Sequence, residues 1–246
     1  MQYLIDMDAD YKMRERVTAG ELGGKSVIHC EEYRSEVLKG IVLTQNQKKI
    51  RLTVEKGENC PETGRGAAII LFDALDGRVH SDEKMIATLC YYEYCEMWLG
   101  SQPENKGVRK IQTVVREHEP GAQDDENNTI SYEITAVKCK DHVLLTVDDG
   151  ARTMETTIVL PDSTRYAYIG ITGEYCDIRD ISIEQSETPI DETYIHRIAE
   201  EVSFLDGPEG DIPSLQVNGY RTEASQGIPL HQRLTIRYHS KSPPTA

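Results

Sequence analysis

The chain has 246 residues, 38% of them hydrophobic and 28% charged, a composition that suits a packed globular protein and argues against a disordered one. Its formal net charge of −15 argues against nucleic acid or an anionic membrane surface as a partner, and leaves neutral ligands, cations and other proteins. No apolar run reaches membrane-spanning length, and Met1-Gln2-Tyr3-Leu4-Ile5 lacks the basic-then-apolar order of a secretory signal.

Residues 1–25 read as a linker with a short helix, because acids come first and bases later in Asp6-Met7-Asp8-Ala9-Asp10-Tyr11-Lys12-Met13-Arg14. The alternating acids at 6, 8 and 10 imitate the start of a calcium loop. Tyr11 stands where that loop needs glycine, however, and Val17 where it needs a bidentate Glu. Gly20-Glu21-Leu22-Gly23-Gly24-Lys25-Ser26 similarly imitates a phosphate loop, but a charged segment precedes it and Val27-Ile28-His29 begins a strand after it. A glycine turn is expected there, not a nucleotide site.

From 26 to 185 the pattern becomes short strand-like runs punctuated by Gly, Asp, Asn and Pro. Strands are predicted at 36–43, 49–55, 66–72, 85–91, 94–99, 107–116, 129–138, 142–148, 152–160, 165–171 and 176–184. So many strands with so little helical pattern predict an all-β fold, an antiparallel β-sandwich of jelly-roll type with short linker helices. Asp148-Asp149-Gly150 marks a hairpin turn, and the acidic stretch 119–128 a solvated loop.

The six cysteines, Cys30, Cys60, Cys90, Cys95, Cys139 and Cys176, are spread singly through a chain too large to need staples. They read as reduced thiols of a cytoplasmic protein. Cys90 with Cys95, and Cys139 with His142, offer half of a zinc site each, without the tight paired spacing of a structural one. No metal and no cofactor is expected.

Residues 186–205 predict a linker helix, with Ile195, Ile198, Ala199 and Val202 at helical spacing. Beyond it, Tyr220-Arg221-Thr222-Glu223, Gly227-Ile228-Pro229-Leu230 and Arg233-Leu234-Thr235-Ile236 repeat the order of Tyr33-Arg34-Ser35-Glu36, Gly40-Ile41-Val42-Leu43 and Arg51-Leu52-Thr53-Val54. Residues 206–246 therefore read as an incomplete second repeat. Its strands at 214–238 are expected to dock on the first sandwich or to pair with another copy of the chain.

The closing run Tyr166-Ala167-Tyr168-Ile169-Gly170-Ile171-Thr172-Gly173, followed by Cys176-Asp177-Ile178-Arg179-Asp180-Ile181-Ser182-Ile183, resembles the last two strands of concanavalin-like or laminin-G-like jelly rolls. The linker from Tyr194 and the restart at Gly219-Tyr220-Arg221-Thr222 resemble tandem accessory repeats of bacterial signalling proteins, which accompany HD-type phosphohydrolase or diguanylate cyclase domains. That resemblance implies an accessory module of a larger signalling protein. Neither partner's catalytic motif is present: Asp141-His142 has the reverse order of the HD doublet, and no Gly-Gly-Asp/Glu-Glu-Phe run occurs.

The run Cys90-Tyr91-Tyr92-Glu93-Tyr94-Cys95-Glu96-Met97-Trp98 carries the candidate site. Strand alternation places Tyr92, Tyr94, Glu96 and Trp98 on one face and Cys95, Met97 and Leu99 on the other. An aromatic ladder with one carboxylate suits a carbohydrate; the same residues also suit cross-strand packing. Glu93 and Glu96, three apart, fall on opposite faces of a regular strand and so do not form the carboxylate pair of a jelly-roll glycosidase. The sequence thus predicts a non-catalytic binding or interaction module with a carbohydrate or protein partner. A structural spacer is the alternative, and a glycoside hydrolase the third reading.

Overall fold

The computed structural model describes residues 27–57, 60, 65–118, 129–163 and 165–201. The calcium-like and phosphate-like stretches, the acidic loop and the second repeat lie outside these residues.

Among the described residues, twelve strands and one short helix follow in order: β1 (Ile28–Cys30), β2 (Ile41–Val42), β3 (Lys48–Lys56), β4 (Gly66–Asp73), α1 (Glu83–Thr88), β5 (Tyr92–Trp98), β6 (Glu104–Asn105), β7 (Lys110–Glu117), β8 (Thr129–Cys139), β9 (His142–Asp148), β10 (Arg152–Val159), β11 (Tyr168–Glu174) and β12 (Cys176–Gln185). They form two antiparallel sheets, ordered β1-β12-β3-β8-β9-β10-β7 and β2-β11-β4-β5-β6. The all-β, two-sheet expectation therefore holds.

Alternation in β3 shows how the sequence specifies the larger sheet. Ile50, Leu52 and Val54 point into the core, while Lys49, Arg51 and Thr53 face out. Ile134 and Ala136 of β8, Leu145 and Val147 of β9 and Ile178 of β12 complete that wall. Opposite it stand Ile69 and Leu71 of β4, Met97 of β5, and Ile169 and Ile171 of β11. The turn at Asp148-Asp149-Gly150 closes as read: Gly150 has φ +84°, and the Asp148 and Asp149 carboxylates accept the Gly150, Ala151 and Arg152 amides.

The smaller sheet is buried on both faces, which is why β4 reads Gly-Ala-Ala-Ile-Ile-Leu-Phe-Asp without alternation. Its outer face carries a second apolar cluster of Val42, Ile70, Phe72, Ala74 and Tyr168, with Val79 and Tyr91 packed against it. Two irregular segments cover this face. Residues 34–43 run along β11, through Arg34 N to Gly173 O (3.0 Å), Leu38 N to Ile171 O (2.8 Å) and Leu43 N to Ala167 O (2.9 Å). Residues 74–91 cross over and meet them at Gly40, whose amide donates to Gly77 O at 2.8 Å. A Cβ on Gly40 would lie 2.7 Å from that oxygen and from the Phe72 ring, so the glycine of the repeated motif is a point of close approach.

Three predicted elements differ. The strand expected at 36–43 is reduced to β2, the rest of it running irregularly along β11. The strand expected at 85–91 is instead α1 and its exit, because Asp82 caps the helix by accepting the Met85 amide at 3.0 Å, and Glu83 complements the first turn. The linker helix expected from 186 is absent through residue 201. Asp191 takes the Thr193 amide (2.7 Å) in a local turn that competes with a helix, and the segment is pinned to the sandwich: Ile195 is buried with Val137 and Cys139, and the Ile198 amide donates to His142 Nε2 at 3.2 Å. Among the described residues no helix is long and apolar enough to cross a membrane.

Candidate functional site

The candidate strand β5 contains a β-bulge. Leu71 pairs with Cys95 and Phe72 with Glu93, so Tyr94 is the extra residue. Beyond the bulge the alternation follows expectation: Cys95 and Met97 enter the core, while Glu96 and Trp98 face out. At the bulge Tyr94 turns inward beside Cys95, fully buried, and its hydroxyl donates to Tyr166 O at 2.9 Å. Tyr92 goes with it, its ring 5.2 Å from that of Tyr94 and its hydroxyl donating to Gly107 O at 3.1 Å. The four predicted site residues are thus split into two pairs. Tyr92 and Tyr94 lie on one side, Glu96 and Trp98 on the other, and no continuous aromatic ladder exists.

The bulge also reverses the expectation for the two carboxylates, since Glu93 and Glu96 share one face and the same two cations. Arg34 holds Glu93 through Nη1 to Oε2 (2.9 Å) and Nη2 to Oε1 (2.6 Å), and holds Glu96 through Nε to Oε1 (3.1 Å). Lys106 Nζ reaches Glu93 Oε1 at 2.9 Å and Glu96 Oε2 at 3.0 Å. Tyr33 donates its hydroxyl to both Glu96 oxygens, at 2.9 and 2.8 Å, and Tyr91 donates to Glu93 Oε2 at 2.8 Å.

Local structure delivers each partner. Arg34 adopts φ +55° at the tip of the covering segment, which turns its guanidinium back onto β5. Lys106 is placed by the bulge itself, because the Tyr94 carbonyl accepts the amides of both Lys106 (2.9 Å) and Gly107 (3.0 Å). Trp98 continues the outward face but is capped, with Tyr33 at a ring distance of 5.9 Å and the Arg65 guanidinium 5.4 Å above its ring; only 9% of Trp98 remains exposed. Tyr33 itself is 49% exposed.

The electrostatics close on themselves, two carboxylates against two cations. Burial raises the Glu93 carboxyl, but hydrogen bonds from Arg34, Lys106 and Tyr91 outweigh it and hold the group at about 2. Burial and the hydrogen bond to Glu96 push the Tyr33 phenol up to about 12. For Tyr91 burial and the Glu93 charge act in the same upward direction. At neutral pH Glu93 is an ionised, fully engaged carboxylate with no proton to give, and Glu96 accepts from Tyr33, Arg34 and Lys106 at once. Such a cluster can fix a loop and bind polar groups at its rim. Glu93, held well below the usual carboxylate range, is not the raised-pKa acid that glycoside hydrolysis needs.

The cysteine and histidine pairs that offered half of a zinc site each are engaged elsewhere or apart. Cys95 is a core residue whose thiol burial pushes up to about 12, whereas Cys90 is exposed. Cys139 stands opposite His142 across the β8–β9 hairpin, but His142 Nδ1 is bonded to Asp141 at 2.8 Å and its Nε2 accepts from Ile198. Among the described residues no group of three or more His, Cys, Asp or Glu is arranged to hold a metal ion.

Sequence reading missed Tyr33, Arg34, Lys106 and Tyr91. A signal existed for the first two, since Tyr-Arg-x-Glu is the motif that returns at 220–223. No protein-family model and no curated protein matches the chain.

Proposed function

We propose that this chain is a non-catalytic interaction module that receives an extended segment of a protein partner at the edge strand β7. The carrying observation is the contrast among sheet edges. The other edge strands, β1, β2 and β6, are two or three residues long, whereas β7 has eight residues and pairs only with β10 among the described residues. Its outer side carries backbone donors and acceptors that an added strand can use, and Val114 and Val115 are exposed at its centre. The engaged state of Glu93 and Glu96 supports a non-catalytic role. The accessory repeats that the sequence resembles are also modules of this kind, and the six unbridged cysteines support a cytoplasmic setting.

The test is a displayed library of extended peptides selected against the whole chain. Binders with alternating apolar residues are expected, their capture abolished by Val115→Lys and accompanied by slowed exchange of the amides in 110–117. Binders that ignore Val115→Lys and leave those amides unprotected would overturn the β7 reading.

A carbohydrate reading is favoured by one observation, the half-exposed Tyr33 ring fixed through its hydroxyl to Glu96 and set over Trp98. Trp98 is the sole tryptophan. Its fluorescence should then change saturably with an oligosaccharide and lose the response in Tyr33→Ala; indifference to a broad sugar panel removes this reading.

A further inference from the structure

We propose that Cys30 and Cys176 form an oxidisable dithiol that reacts with a hydroperoxide, Cys30 as the attacking thiol and Cys176 as the resolving one. This rests on a different part of the molecule from the β7 reading and stands or falls separately.

The two residues are directly opposite in the antiparallel β1–β12 ladder. Opposed residues of such a ladder lie about 4.5–5.5 Å apart at Cα, inside the range of roughly 4.4–6.8 Å that a disulfide spans. Both side chains belong to the core, yet both line a cavity of about 530 Å³ that also involves His29, Lys56, Cys60 and Asp177. A small, polar oxidant thus has room beside both sulfurs. Gly173 makes the arrangement fit: a Cβ there would lie 2.6 Å from Cys176 Sγ.

The neighbouring Cys176 thiol draws the Cys30 thiol down against the opposing effect of burial, and Cys176 is pushed up in return. Cys30 Sγ also donates to Glu36 O at 3.5 Å and lies 3.9 Å from Thr172 Oγ1, contacts that fix its side chain beside Cys176.

In the first step the Cys30 thiolate attacks one peroxide oxygen. The S–O bond forms, the O–O bond breaks, and hydroxide leaves and is protonated to water, giving the sulfenic acid. In the second step the Cys176 sulfur attacks Cys30; the S–S bond forms, the S–O bond breaks, and the hydroxyl leaves as water with the Cys176 proton. Two thiols are oxidised, one hydrogen peroxide is reduced, and two waters form.

The experiment treats the full chain with hydrogen peroxide, blocks remaining thiols with iodoacetamide under denaturing conditions, and maps peptides without reduction. The expected result is a Cys30–Cys176 cross-linked peptide, reversed by dithiothreitol, which appears as the alkylated forms of both residues disappear. In Cys176→Ser the cross-link should vanish and a dimedone adduct should accumulate on Cys30. The proposal is overturned if peroxide sufficient to oxidise the exposed Cys90 leaves Cys30 and Cys176 alkylatable, or if Cys30 links to Cys60 instead. The wild-type map decides the question even where the variant fails to fold.

Discussion

Arg34 answers two carboxylates and is answered by them, so its removal strands charge in a place with little water. Its side chain is 17% exposed, against 14% for Glu93 and 3% for Glu96. Breaking a buried pair from one side costs about 3–5 kcal/mol, because the remaining charge loses its partner. Arg34→Ala is therefore expected to lower unfolding stability by that amount in urea denaturation. Arg34→Lys should recover only part of it, since an ammonium lacks the planar fork through which Arg34 holds both Glu93 oxygens and reaches Glu96 as well. Glu93 adds a pH dependence whose sign follows from its depressed pKa. The unfolded chain's glutamate titrates near 4.5 and the folded one at about 2. Stability from this group is complete above pH 4.5 and is lost as pH falls toward 2, a difference of about 3 kcal/mol. Denaturation measured from pH 6 to 2 should show that acid slope, and Glu93→Gln should flatten it; an unchanged slope would show that Glu93 is not held as described.

At the scale of elements, the covering segments owe their order to single anchors. Asp82 caps α1, a helix that buries none of its own residues. Asp82→Ala should cost about 1 kcal/mol and speed amide exchange in 83–89 more than elsewhere. The segment 186–201 hangs on Ile195, on Arg197 Nη2 to Asp141 Oδ1 (2.9 Å), and on Arg109 and Lys110, which donate to the carbonyls of Glu200 and Ile198. Ile195→Ala empties its apolar seat against Val137 and Cys139, and is expected to make residues 187–200 the first site of limited proteolysis while the sheets stay protected. The same cleavage rate in wild type and variant would mean that the polar contacts alone hold the segment. The β5 bulge is the element that sequence alternation did not reveal. Period 2 placed Cys95, Glu96, Met97 and Trp98 correctly, but nothing in Tyr-Tyr-Glu-Tyr signals the inserted residue, because a tyrosine suits either face.

At the scale of the whole molecule, the described residues form one sandwich whose smaller sheet is covered on its outside and whose larger sheet ends in β7, paired among those residues only with β10. Val115→Lys alters that edge without touching the core, so it should leave unfolding stability within about 0.5 kcal/mol of wild type while abolishing strand capture. A large loss of stability would instead place Val115 in a packed environment.

Alternating runs, turn glycines and the absence of long helical periodicity were enough to determine two antiparallel sheets, the Asp148–Gly150 hairpin and the core face of β3, since each depends on residues adjacent in sequence. The repeated Tyr-Arg-x-Glu motif was also legible, though not its partners. Only the tertiary structure decided that Tyr33 and Arg34 meet Glu93, Glu96 and Lys106, that Tyr94 is core, and that Cys30 faces Cys176. Those outcomes rest on a cross-strand register, a one-residue bulge and the path of a covering loop, and each depends on a pairing between separate strands or segments that no local pattern encodes.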